Sequence, residues 1–124
     1  MAIPGTVEMR WPALQWAVKQ RGGYLSADLK AHLAKKYELT TEELAQTSDE
    51  GVPIFANNVD WVDAHFTEMG IHTSIDGQPR KTPHDRYFLT RYGYAVAEER
   101  VPWPTKRRNG PRGALPDPRQ LAAG

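Results

Sequence analysis

The segment PIFANNVDWVDAHFTEMG, residues 53–70, carries an apolar residue at every third or fourth position. The residues concerned are Phe55, Val59, Val62, Phe66 and Met69. An α-helix places such positions on one face, so we predict a helix over 53–69 that buries this face. Gly70 follows as a natural C-terminal cap, because glycine adopts the left-handed conformation at little cost.

A second set of residues in this helix is expected to point away from the core. At about 100° per residue, that outward set comprises Asn57, Asp60, Trp61, Ala64 and Glu68. Asn58 and His65 fall on one flank of the helix, and Asp63 falls on the other. For Trp61, burial in a helix–helix contact and exposure to solvent both remain open. The two asparagines could equally cap the helix or bond to loop backbone.

Periodicity and capping residues predict the remaining elements. Pro12 is expected in the first turn of a helix that Gly22 and Gly23 end, and Ser26 is expected to cap the next helix. Thr40 and Glu43 have capping-box spacing, and Thr90 precedes the last helix. The predicted helices cover 7–21, 27–37, 40–46 and 91–100. A short extended piece is predicted at 24–26, and the strands of a hairpin are predicted at 71–75 and 86–89.

This order of elements predicts an α+β, mostly helical fold. A helix-turn-helix followed by a β-hairpin is the arrangement of a winged helix-turn-helix domain. In that arrangement the helix 53–69 is the recognition helix, and the hairpin with its tip, residues 76–86, is the wing. We assign the domain to residues 1–100.

Residues 101–124 are expected to form a basic tail or linker. They hold five of the ten prolines and three glycines, a composition that opposes regular structure. A chain ending near Arg100 is therefore expected to unfold with unchanged cooperativity. Trp103 is the exception in this segment, as a residue expected to dock on the domain.

Composition restricts the class of protein. The chain has 124 residues and no cysteine, and no apolar run approaches the roughly 18 residues of a membrane-spanning helix. A cytoplasmic protein without membrane contact, disulfides or cofactor is expected, and the four histidines lack metal-motif spacing. Formal charge is uneven, at +4 for residues 1–36, −9 for 37–79 and +6 for 80–124.

Two stretches carry a resemblance to a known family. FANNVDWVDAHFTEMGI and RYFLTRYGYAVAEE resemble the N-terminal winged-helix domain of the Mrr family of restriction proteins, over about residues 2–100. That family shows a Phe-x-Asn-Arg-Val-x-Trp-Ala pattern, a glycine at the end of the helix and a later Leu-Thr-x-x-Gly element. The residues that match here are Phe55, Asn57 or Asn58, Val59, Trp61, Gly70, Leu89, Thr90 and Gly93.

The resemblance implies a DNA-binding module of a restriction or defence system. Many members are fused to a nuclease that cuts modified DNA, so modified bases are an expected ligand. The chain departs from the family at Asn58, where the family has arginine if Asn57 aligns with the family's asparagine. It also has no Asp followed by Glu-x-Lys, the nuclease signature. We therefore expect no enzyme activity from this chain, and any nuclease would lie in a domain outside it.

The expected partner is double-stranded DNA, methylated or not, and a homodimer is a further expectation. Asparagine can pair with adenine, and carboxylates can accept from cytosine but repel phosphates. Phosphate affinity must then come from basic residues of the wing, the second helix and the tail. The expected DNA contacts are Asn57, Asn58, Asp60, Trp61, His65, Arg80, Lys81, Arg86, Lys35 and Lys36.

A protein-interaction or dimerisation module without DNA readout is the alternative. Winged helices also dock protein partners, and an acidic helix face suits a basic partner. A salt-dependent shift with unrelated duplexes would separate the two functions.

Overall fold

A computed structural model describes residues 3–74 and 86–104 of the chain. Within these residues the fold is mostly helical, with one small antiparallel hairpin, as the sequence predicts. The helices are α1 Thr6–Ala17, α2 Ser26–Lys36, α3 Thr41–Ala45, α4 Ile54–Met69 and α5 Arg91–Ala97, and the strands are β1 His72–Ser74 and β2 Tyr87–Leu89.

Helix α4 is the centre of the core and follows the prediction closely. All five residues of its apolar stripe are at most 5% exposed. It packs against α1, α2 and α3 and against strand β1. Gly70 caps it in the left-handed conformation, with a φ of 78°. Burying such a stripe is the main stabilisation of a helix of this length.

Helix α1 begins and ends earlier than the sequence suggests. Gly5 is its N-cap, and the Glu8 side chain accepts from the Gly5 backbone N–H at 3.4 Å. Pro12 therefore lies inside the helix rather than in its first turn, which corrects the prediction. A proline there costs one helical hydrogen bond, and it is tolerated in a helix whose Met9 and Leu14 are fully buried.

The hairpin is attached to the helical part through Tyr24, in the segment between α1 and α2. Strands β1 and β2 pair antiparallel, with His72 opposite Leu89 and Ser74 opposite Tyr87. Tyr24 and Tyr87 exchange two backbone hydrogen bonds of 2.9 and 2.8 Å. The orientation of the hairpin relative to the helices is therefore fixed. Residues 75–85, which include most of the expected wing, lie outside the described residues.

Thr90 joins the hairpin to α5 in the predicted capping role. Its hydroxyl accepts from the Gly93 backbone N–H at 2.9 Å and donates to the Gly70 carbonyl at 2.6 Å. Gly93 is required by close packing, because a Cβ at that position would lie 2.0 Å from the Ile71 carbonyl oxygen. The start of α5 thus packs directly against the backbone of Ile71, just after the end of α4.

Trp103 docks on the domain, as expected for this one residue of the tail. Its side chain is 4% exposed and belongs to the main hydrophobic core. The indole ring meets Trp11 and Phe66 edge-on, at centroid distances of 6.4 and 6.3 Å. The packed part of the chain therefore continues past the expected boundary at Arg100. Residues 105–124 of the expected tail lie outside the described residues.

Candidate functional site

The outer face of α4 presents an amide and an indole one turn apart. Asn57 is exposed, and its side chain makes no hydrogen bond with another described residue. Trp61 is 49% exposed, which settles the question of its burial in favour of solvent. A spacing of four residues places the two side chains next to each other along the helix.

The loop before α4 forms a wall beside these residues. Thr47 and Pro53 form an antiparallel bridge, and the Ser48 backbone N–H donates to the Val52 carbonyl at 2.8 Å. The Ser48 hydroxyl also accepts from the backbone N–H groups of Glu50 and Val52, both at 3.3 Å. These bonds give the loop a definite shape next to the helix.

Loop and helix enclose an open groove of about 470 Å³, which is called the Trp61 groove below. Its size lies within the range of small-molecule sites, although it is open to solvent. The lining combines apolar side chains, two amides, a hydroxyl and one carboxylate. The lining residues are Ser48, Glu50, Val52, Ile54, Asn57, Asn58 and Trp61.

Asn58 is bound to the segment before α1. Its side-chain amide donates to the Pro4 carbonyl at 3.1 Å, and the Thr6 hydroxyl donates to the Asn58 carbonyl at 3.1 Å. The loop-bonding role that the sequence left open for Asn58 is therefore the one observed. One of its two amide N–H groups is therefore used within the fold, which sets the orientation of the Asn58 side chain toward the segment before α1.

His65 lies on the same flank of α4 and is buried. It is 8% exposed, and its Nδ1 atom contacts the guanidinium of Arg10, which is 1% exposed. Burial removes His65 from the outer face, so the structure gives no support to its expected DNA contact. Its ring lies 5.9 Å from that of Trp61, measured between centroids. The imidazole of His65 therefore packs beside the indole of Trp61.

The opposite flank of α4 faces α2. Asp60 forms an ion pair of 2.9 Å with Lys30, and the two side chains are 47% and 30% exposed. This pairing neutralises one of the acids that would repel a phosphate. Such an exposed pair adds little to stability, so its effect is chiefly on the charge of the surface.

Asp63 is the hub of a buried polar network that connects α2, α4 and β1. It is 1% exposed, and its carboxylate accepts from the Ser26 hydroxyl at 2.7 Å and the Tyr24 hydroxyl at 3.0 Å. The Tyr24 hydroxyl also contacts His72 Nδ1 at 2.8 Å, while His72 Nε2 lies 2.9 Å from the hydroxyl of Thr67. Burial, and next the charge of Asp63, raise the pKa of Tyr24 well above its ordinary value.

This network corrects one expectation. Ser26 does not cap α2 with its side chain, since its hydroxyl is turned to Asp63 and Leu25 precedes the helix. Asp63 lies on a flank of α4, as predicted, and that flank is buried. The sequence contains only a weak indication that Asp63 is buried, namely its position beside the predicted apolar face of the helix.

The expected basic contacts lie apart from one another. Lys35 and Lys36 are exposed on α2. Arg86 is half-buried, and its Nη1 atom donates to the Gly23 carbonyl at 3.2 Å, at the base of the hairpin. Arg80 and Lys81 fall outside the described residues. Of the expected contacts on α4, the structure leaves Asn57, Asp60 and Trp61 accessible, whereas Asn58 is half-buried and His65 is buried. The described basic residues lie on α2 and at the base of the hairpin.

Two further observations bear on function. In the described residues, no three His, Cys, Asp or Glu side chains are placed to bind a metal ion together. No helix in the same part of the chain has the length and apolar character needed to cross a membrane. Neither a family model, nor a curated protein, nor a solved structure matches the chain.

Proposed function

We propose that the chain is a DNA-binding module of winged helix-turn-helix type, with α4 as its recognition helix. The observation that carries this proposal is the exposed pair Asn57 and Trp61 on the outer face of α4, directly before the hairpin. Recognition helices read base edges through residues on the face turned away from the core, mainly in their N-terminal half. Both residues lie in the first half of this 16-residue helix.

The attachment of the hairpin supports the winged-helix assignment. Backbone bonds between Tyr24 and Tyr87 hold β2 against the segment that joins α1 to α2. A hairpin fixed in this way keeps a constant position relative to α4, as a wing must if it is to touch the same duplex. The resemblance to the Mrr winged-helix domain leads to the same proposal and adds a restriction or defence context.

Asn57 and Trp61 suit the reading of a modified base. A free amide can pair with adenine N6 and N7, and the indole offers an apolar surface to a base methyl group. A buried methyl contributes about 0.8 kcal/mol, which corresponds to roughly fourfold discrimination. Val52 and Ile54 extend the apolar surface within the Trp61 groove.

The charges indicate that base contacts and phosphate contacts come from different surfaces of the domain. Asp60 is paired with Lys30, while Glu50 leaves a negative charge in the Trp61 groove. The face of α4 is thus suited to reading bases and poorly suited to binding phosphates. Phosphate contacts are assigned to the basic residues of the wing and to Lys35, as counterion release requires cationic side chains at the backbone.

The test compares Trp61→Ala and Asn57→Ala with the unaltered protein on a methylated duplex and its unmethylated twin. The methyl groups are placed on adenine N6 or cytosine C5, and binding is followed by fluorescence anisotropy. Trp61→Ala is expected to lower affinity for the methylated duplex more than for its twin, by a factor of about four for one methyl group. Circular dichroism should show an unchanged fold, because Trp61 is half exposed.

Tyr92→Ala is the matched control, as Tyr92 is an exposed aromatic residue on α5, at 39%, outside the groove. It should leave both affinities unchanged. Equal losses on the two duplexes with Trp61→Ala would exclude readout of the methyl group. Absence of binding to any duplex at low salt would reject the DNA-binding proposal as a whole.

A second candidate function is a docking module for a basic protein. The feature that favours it is Glu50 in a groove that is also lined by the apolar side chains of Val52, Ile54 and Trp61. An apolar, acidic groove suits a basic amphipathic segment. Unrelated duplexes separate the two functions, since a DNA-binding module binds them with a steep dependence on salt and a protein-docking module does not bind them.

A further inference from the structure

A second open groove lies between the C-terminal part of α1, the middle of α2 and the end of α5. Its volume is about 400 Å³, the size of a small-ligand site. We call it the His32 groove. Its lining consists of Pro12, Gln15, Trp16, Val18, Lys19, His32, Lys36 and Ala97.

The His32 groove is separate from the Trp61 groove. Leu29 and Leu33 mark the buried face of α2. At about 100° per residue, Lys30 lies roughly 80° to one side of that face and His32 roughly 80° to the other. Lys30 binds Asp60 of α4, so the flank with His32 and Lys36 is turned away from α4 and toward α1.

Cationic groups surround the groove. Lys19, Lys35 and Lys36 are exposed, and none of them forms an ion pair with another described residue. The pKa of His32 is lowered, first by partial burial and then by the charges of Lys36, Lys19 and Lys35. These charges come from the end of α1 and from α2 itself. The groove therefore carries positive potential that no described carboxylate cancels by direct contact.

An aromatic stack gives the groove a rigid wall. The rings of Trp16 and His32 are stacked, with centroids 5.4 Å apart and an angle of 20° between planes. Trp16 in turn meets Tyr24 edge-on at 5.3 Å. His32 makes no hydrogen bond with another described residue, so its ring nitrogens remain available to a ligand. The imidazole thus lies stacked on the indole of Trp16.

We propose that the His32 groove binds a phosphate group, held by Lys19 and Lys36 with a hydrogen bond from His32. Ammonium groups bind phosphate as point charges. The imidazole of His32 can donate one N–H in its neutral form, and a bound dianion favours its protonation, which makes the hydrogen bond charge-assisted. A phosphate dianion matches the two lysines that line the groove better than a singly charged carboxylate does. The group can belong to a free nucleotide or to a nucleic-acid backbone. The site does not depend on DNA reading by α4.

The experiment follows the ring signals of His32 and Trp16 by NMR during titration of the whole protein. The probes are inorganic phosphate, adenosine monophosphate and a short unmethylated duplex. The variants are the pair Lys19→Gln with Lys36→Gln, and Lys30→Gln as a control on the other flank of α2. All three lysines are at least partly exposed, so the variants are expected to fold.

Binding of phosphate or the nucleotide should shift both ring signals and raise the pKa of His32, since a bound dianion stabilises the imidazolium. The double variant should lower the affinity at least tenfold, whereas Lys30→Gln should change the affinity for phosphate and the nucleotide less than twofold. If the double variant weakens only duplex binding, the phosphate comes from a nucleic-acid backbone. The proposal is overturned if no probe shifts the His32 signals, or if the double variant binds every probe as well as the unaltered protein does. Neither result depends on Trp61, so failure here is distinguishable from failure of base reading by α4.

Discussion

Removal of residues 101–124 is expected to destabilise the domain severely, because Trp103 is a core residue. A chain ending at Arg100 lacks the indole that packs against Trp11 and Phe66. This expectation replaces the one drawn from composition, in which such a chain unfolds with unchanged cooperativity. The informative comparison is with a chain ending at Pro104, which keeps Trp103 and lacks the rest of the basic tail.

The magnitude follows from the burial of the side chain. A tryptophan that is 4% exposed removes about 150–250 Å² from water. At about 25 cal/mol per Å², this corresponds to about 4–6 kcal/mol as an upper estimate. Measured costs of truncating buried aromatic residues to alanine are about 3–5 kcal/mol, so we expect a loss of about 4 kcal/mol. For a domain of about 100 residues, the melting temperature then falls by roughly 16–30 °C.

Thermal and urea unfolding followed by far-ultraviolet circular dichroism measure this loss. The chain ending at Pro104 should melt within a few degrees of the full chain, and Trp103→Ala in the full chain should reproduce most of the loss. The urea midpoints should rank these proteins in the same order of stability as the melting temperatures do. If the chains ending at Arg100 and Pro104 melt within about 2 °C of each other, Trp103 contributes no core packing and the reasoning fails.

Two further changes test the packing between elements. Gly93→Ala should destabilise the fold by about 3 kcal/mol or more in urea unfolding, because the new Cβ would lie 2.0 Å from the Ile71 carbonyl oxygen. Gly22→Ala is its control, since a Cβ there meets nothing within 4 Å, and a similar loss in both variants would contradict the packing argument. Tyr24→Phe should remove a pH dependence of stability above pH 10. The raised pKa of Tyr24 means that the unfolded chain loses this proton from about pH 10 while the folded chain keeps it, so stability is unaffected below pH 10 and falls above it by up to about 1.4 kcal/mol per pH unit. Unfolding curves at several alkaline pH values measure this slope, and an equal slope in Tyr24→Phe would show that Asp63 and burial do not hold the proton on the phenol.

Local sequence was sufficient to predict the elements themselves. The apolar spacing of α4, its glycine cap and the capping roles of Thr40 and Thr90 all hold. Each of these features depends on residues within one or two helical turns of one another. The hairpin was also predicted, because two short apolar runs flank a loop rich in glycine and proline. Interactions of this range are determined by the order of residues alone.

The burial of residues on the two flanks of α4 depends on the elements that pack against them. Asn58 and His65 lie on the flank covered by α1 and the segment before it, where they meet Pro4 and Arg10. Asp63 lies on the flank covered by α2 and Tyr24. The apolar stripe by itself predicts a narrower buried face than the one observed. Two packed helices widen that face and bury polar residues that then need partners.

The sequence by itself determined which face α4 buries, and it placed Asn57 and Trp61 on the opposite side of the helix. Only the tertiary structure decided that Trp61 is exposed, which flanking residues stay available, and that Lys19, His32 and Lys36 line one groove. The physical reason is separation along the chain. Asp63 finds its hydroxyl partners 37 and 39 residues away, and His65 contacts an arginine 55 residues away. No local pattern encodes such partners, because they are brought together by the packing of whole helices.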